Sequence, residues 1–93
     1  MDCMVDTGFS GGIILPWRYA SYFKEKPIMY QEFELADGSR RKYPIYKLKI
    51  RFNNLSKEVN LSFTDSKDSF VGIEFLLGFR FILDLKRFKV SLE

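Results

Sequence analysis

Val5-Asp6-Thr7-Gly8-Phe9-Ser10-Gly11 is the stretch whose reading decides the fold. Met4-Val5 is an apolar approach. A carboxylate, a hydroxyl and a glycine follow, and the apolar run Ile13-Ile14-Leu15 comes next. The pattern predicts a strand that delivers one acid into a tight glycine-containing loop and leaves as a second strand. Asp-Thr-Gly alone reads as an ordinary turn, since Asp and Gly are both turn residues. Two later stretches alter that weighting.

Working outward, the 93 residues suffice for one small domain, 1–93, with one modest core. Ten Phe and five Tyr favour strands. No apolar run is long enough to span a bilayer, and no charged-then-apolar leader opens the chain. Cys3 is the single cysteine, so no internal disulfide can form and a reducing, cytoplasmic setting is expected. The absence of His excludes Ser-His and Cys-His catalysis and His-ligated metal sites. No cofactor and no metal are expected.

The net charge of +3 is mild. Much of it lies in Arg40, Arg41, Lys42, Lys47, Lys49, Arg51 and Lys57. A basic, aromatic-rich β-domain can bind nucleic acid. Here the charges alternate with apolar residues, which favours a solvated sheet face. Neither nucleic acid nor membrane is expected as a partner.

Gly11-Gly12 is expected to permit unusual backbone angles. Ile13 to Leu15 reads as a buried strand stopped by Pro16. Trp17 to Phe23 reads as a short helix with Pro16 near its start, or as an aromatic loop. Ile28 to Leu35 reads as a strand, and Ala36-Asp37-Gly38-Ser39 is a hairpin-turn signal. The return strand spans about Arg40 to Phe52. Tyr46, Leu48, Ile50 and Phe52 face one way, and Lys47, Lys49 and Arg51 the other. Asn53-Asn54-Leu55-Ser56 reads as the next turn, after which Val59, Leu61 and Phe63 alternate with Glu58, Asn60 and Ser62. Thr64 to Ser69 is a polar loop. Phe70-Val71-Gly72 leads into one or two helical turns ending at Gly78. Phe79 to Leu85 and Phe88 to Leu92 read as strands joined by a tight Lys86-Arg87 turn. This predicts an all-β domain of six or seven strands, mostly antiparallel, with one or two short helices and a barrel-like or sandwich form.

Three features therefore sit in order: Asp6-Thr7-Gly8, the Asp37-Gly38 hairpin, and Phe70-Val71-Gly72 before a short helix. Together they resemble the retropepsin-like aspartic proteases, in particular the small single-lobe cellular members. Asp6-Thr7-Gly8-Phe9-Ser10-Gly11 with Ile14-Leu15-Pro16 is similar to that family's active-site segment. Phe70-Val71-Gly72-Ile73-Glu74-Phe75-Leu76 is similar to its second signature. Glu74 stands where the family usually has Asp or Asn.

The resemblance implies a retropepsin-like acid protease half-barrel. It also implies a homodimer in which Asp6 of each chain flanks one water. Two unit charges about 4 Å apart repel by roughly 4 kcal/mol at an effective dielectric near 20, so such a pair holds one proton between them. The ionised carboxylate takes a proton from the water. The protonated one polarises the scissile carbonyl. Thr7 would hydrogen-bond across the two-fold axis, and Gly8 would let the substrate backbone approach. Phe9 and Ser10 would line the pocket beside the carboxylate. Asp37 and Gly38 would form a flap closing over a peptide or protein substrate.

The chain differs from the family pattern in having five residues before Asp6, where the family carries one or two further strands. A non-catalytic dimerisation or peptide-binding module of the same fold is the alternative. Among the other polar groups, Asp65, Asp68 and Asp84 read as surface or turn carboxylates. Cys3 reads as a buried strand thiol, and Trp17, Tyr19, Tyr22 and Phe23 as packing residues.

Overall fold

The computed structural model describes residues 3–34, 37–52 and 54–93. It is mostly β-strand. The described residues form eight strands: β1 Met4–Val5, β2 Ile13–Pro16, β3 Met29–Glu34, β4 Arg40–Phe52, β5 Leu55–Thr64, β6 Phe70–Val71, β7 Phe81–Asp84 and β8 Lys89–Leu92. One α-helix, α1, covers Ile73–Leu76, and a 3-10 helix covers Trp17–Tyr22. Pro16 precedes the 3-10 helix, where its fixed φ suits entry and its missing N–H is not needed.

Six strands make one mixed sheet in the order β1-β6-β2-β5-β4-β3. β6 lies between β1 and β2, parallel to the first and antiparallel to the second. β2 runs parallel to β5, with Ile13 opposite Leu61 and Leu15 opposite Phe63. Four of the six strand pairings among the described residues are antiparallel, as expected, and the two parallel ones lie in the half of the sheet that carries Asp6. Leu55 and Ser56, expected in a turn, instead begin β5, and Asn53 of that turn lies outside the described residues. β7 and β8 form a separate antiparallel hairpin. Its expected two-residue turn is instead the four residues 85–88, because Asp84 pairs with Lys89. Phe88 takes a positive φ of 54° in that loop.

The core follows from the period-two pattern. Ile13, Leu15, Val59, Leu61, Phe63 and Val71 are buried together on one face of the sheet. Phe63 is fully buried, with Trp17 stacked at 5.9 Å between ring centroids and Phe23 edge-on at 5.2 Å. Tyr19, Ala20 and Phe23 of this aromatic segment pack against the core, while Tyr22 and the outer part of Trp17 are exposed. Tyr46, Leu48 and Ile50 pack against the same core, while Lys47, Lys49 and Arg51 are exposed. Ser62, a polar residue expected to face solvent, is buried. Its hydroxyl donates to the Pro44 carbonyl at 2.8 Å, which satisfies it. Cys3, expected as a buried thiol, is exposed.

The end of α1 is held by a lysine. Lys57 Nζ donates to the carbonyls of Glu74, Phe75 and Leu77 at 2.6, 3.2 and 2.7 Å. Those carbonyls have no intrahelical partner, so a cation there satisfies them and suits the negative end of the helix dipole. Gly78, at φ 91°, turns the chain out of the helix as expected for a C-terminal glycine. Phe79 then packs on Phe52 and Phe75, tethering the β7–β8 hairpin to the sheet.

Candidate functional site

The Asp6 loop leaves β1, passes over the end of β6 and re-enters the sheet as β2. Its anchor is the start of α1. The Gly72 amide donates to the Gly12 carbonyl at 2.8 Å, the Ile73 amide to Phe9 at 2.8 Å and the Glu74 amide to Gly11 at 3.1 Å. Amides at a helix start have no intrahelical acceptor, so the loop carbonyls serve as their partners. On the other side, the Asp6 amide donates to the Val71 carbonyl at 2.9 Å. Phe70-Val71-Gly72 thus holds both ends of the loop.

Glycine is required here by space. A Cβ on Gly72 would overlap the Gly11 carbonyl and Phe9, and one on Gly12 would overlap the Asn60 carbonyl. Gly11 and Gly12 were expected to adopt unusual angles. Among the described residues, however, the positive-φ glycines are Gly38 and Gly78. Close approach, not backbone freedom, explains Gly11, Gly12 and Gly72.

Asp6, Thr7 and Gly8 stand exposed at the loop tip. The Asp6 carboxylate accepts the Gly8 amide at 3.0 Å, and the Phe9 amide donates to the Asp6 carbonyl at 3.1 Å. One carboxylate oxygen is therefore oriented by its own loop, while the residue remains open to solvent. Glu74 braces the loop from beneath. Its carboxylate accepts the Asn60 amide at 2.5 Å, tying α1 to β5.

Phe9 and Ser10 line a small cavity of about 70 Å³ with Gln31, Phe33, Asn60 and Ser62. Asn60 Oδ1 is buried without a hydrogen-bond partner among the described residues. Phe9 also lines a larger groove of about 580 Å³ with Ile14, Phe33, Arg41, Tyr43 and Phe70. That groove is largely apolar, and an ion pair stands at its rim. Arg41 donates to the Asp65 carboxylate at 2.9 Å, and the Tyr43 hydroxyl reaches the same oxygen at 3.4 Å. Asp65 is thus a surface carboxylate, as its loop position suggested.

Asp37 and Gly38 sit at the exposed end of the β3–β4 hairpin; Ala36, part of the same turn signal, lies outside the described residues. Gly38 takes φ 85°, as the Asp-Gly turn requires. The Ser39 hydroxyl and amide both donate to Asp37 Oδ1, at 2.6 and 2.8 Å. The hydroxyl bond chiefly, then the amide bond, holds the Asp37 carboxyl below its ordinary pKa. Among the described residues, the side-chain hydrogen bonds of Asp37 stay within the turn. It is the hairpin body, through Phe33, Arg41 and Tyr43, that shares the groove with Phe9.

Sequence reasoning singled out the loop and Gly72 but missed Phe33 and Tyr43 in the groove and Asn60 in the small cavity. Their only sequence signal is strand alternation, which marks a face without saying what shares it. No group of three or more Cys, Asp and Glu side chains suited to a metal ion occurs among the described residues. Among the described residues, no helix is long and apolar enough to cross a membrane. Comparison with protein-family models, curated proteins and solved structures finds no match. The chemistry of the site therefore rests on its own residues.

Proposed function

We propose that the chain is an aspartic endopeptidase of retropepsin-like, half-barrel form, acting as a homodimer. The observation that carries this reading is the Asp6 loop. An exposed carboxylate is oriented by the Gly8 amide, on a loop clamped by Val71 and Gly72 at both ends. Catalytic groups need such fixed placement, because loss of geometry costs rate directly. A single chain supplies one such acid, so a two-fold axis through neighbouring Asp6 loops would bring the pair together.

In that arrangement one carboxylate removes a proton from water as it attacks the peptide carbonyl. The other donates to the carbonyl oxygen and then to the departing amine. No covalent intermediate forms. Thr7 would link the two loops, and Gly8 would admit the peptide backbone. The apolar groove beside Phe9 supports binding of an apolar peptide side chain. Asp37 and Gly38 would close over the bound peptide as a flap.

The groove also suits a second reading, a module of the same fold that binds peptides without cutting them. Sedimentation with a peptide that mimics the tetrahedral intermediate separates the two. The endopeptidase reading predicts a dimer that binds the mimic, with binding lost in Asp6→Asn. A monomer that ignores the mimic would contradict it.

A further inference from the structure

The long strand β4 is covered unequally. β3 pairs with it over residues 40–45, and β5 over 45–52 on the other side. Among the described residues, no strand pairs with 46–52 on the β3 side. The open edge borders a groove of about 720 Å³ between residues 22–25 and 47–49.

The two faces of this edge differ in chemistry. On one, Lys47, Lys49 and Arg51 are exposed and enter no ion pair among the described residues. Among the described residues, Glu58 stands opposite Lys49 and Glu25 lines the same groove, two acids beside three cations. On the other, Leu48 and Phe52 line an apolar cavity of about 530 Å³ with Phe23 and Phe75. Phe52 is 41% exposed. A strand added here would place alternate side chains over these two faces.

A second copy of this edge does not fit. Antiparallel self-pairing centred on Lys49 would set Lys49 against Lys49 and Lys47 against Arg51. Like charges directly opposite are destabilising, and lysine rows are a known device against edge-to-edge pairing. The same row attracts a strand of opposite charge.

We infer that the open edge of β4 at 46–52 is a binding site, separate from the Asp6 loop, for an extended peptide in which apolar residues alternate with carboxylates. Backbone hydrogen bonds to the edge would supply affinity. Carboxylates beside Lys47, Lys49 and Arg51, with apolar side chains beside Leu48 and Phe52, would supply selectivity.

The test titrates the full, isotopically labelled chain with a synthetic octapeptide of alternating Val and Glu. Controls are the same peptide with Lys for Glu and one with alternate peptide nitrogens methylated. The expected result is saturable binding with amide shifts concentrated at 46–52. Raised salt and either control peptide should each weaken it about tenfold or more. The Lys47→Glu/Lys49→Glu variant should reverse the preference between the Glu and Lys peptides. The control peptides keep the test decisive should that variant fold poorly. Equal binding of the Glu and Lys peptides, shifts confined to the Asp6 loop, or no binding at millimolar peptide would overturn the inference.

Discussion

Gly72 lies directly beneath the Gly11 carbonyl, so close that a Cβ on Gly72 would overlap it. The helix start and the Asp6 loop therefore behave as one packed unit. The position of the acid is set from a residue 66 places along the chain.

Gly72→Ala should disturb this contact before any other. Overpacking of this kind costs about 1–3 kcal/mol. The variant should remain folded but less stable in urea, with amide shifts concentrated at residues 6–12. Stability and loop shifts unchanged from the parent chain would contradict the packing described.

Lys57→Met keeps the aliphatic stem and removes the ammonium that holds three carbonyls at the end of α1. Hydrogen bonds to a charged group contribute about 1.5–3 kcal/mol, less where solvent reaches them. A loss of about 1–2 kcal/mol is expected, a fall in Tm of several degrees for a chain of this size. Calorimetry measures it, and an unchanged Tm would remove the capping role.

Phe63→Ala removes the ring on which Trp17, Phe23 and Tyr46 pack. Such truncations cost about 3–5 kcal/mol, a large share of a small domain's stability. The variant should be largely unfolded at room temperature. Trp17 is the sole tryptophan, so its fluorescence reports the change directly. A native-like emission spectrum and a parent-like urea midpoint would show that Phe63 is not central.

The Asp37 turn sets a pH dependence with a definite sign. Its carboxyl is held below the ordinary pKa by Ser39. The ionised form therefore favours the turn. Its contribution is complete above the unfolded carboxylate value, near pH 4, and fades as pH falls through the lower folded value. The Ser39 amide resonance should hold steady from pH 7 to 5 and move only in more acidic solution. A midpoint above the ordinary carboxylate range would contradict the turn geometry.

Much of this architecture was legible from local chemistry. The alternation Tyr46, Leu48, Ile50, Phe52 fixes which face of β4 packs, because side chains in a strand have period two. Asp37-Gly38 announces a hairpin because glycine takes the positive φ without strain. Gly72 was marked by its place after Phe70-Val71. What local pattern cannot carry is the choice of partner. Nothing in Ile13-Ile14-Leu15 says that it runs parallel to β5, since that pairing depends on how the Asp6 loop turns. The loop after Asp84 looked like a two-residue turn because the register that sets it is a property of both strands. Ser62 looked solvent-facing, yet the Pro44 carbonyl gives its hydroxyl a partner inside. Cys3 was assigned to the core by its residue type, and β1 proved to be a short, exposed strand.

Peptide-bond cleavage by Asp6→Asn, measured beside the parent chain, decides whether Asp6 is the catalytic acid. An unfolded protein substrate should be used from acidic to neutral pH, with circular dichroism on both proteins. The parent chain should cut the substrate, and the variant should keep its fold while cleavage falls by at least about a hundredfold. Equal cleavage by a folded Asp6→Asn chain would contradict it.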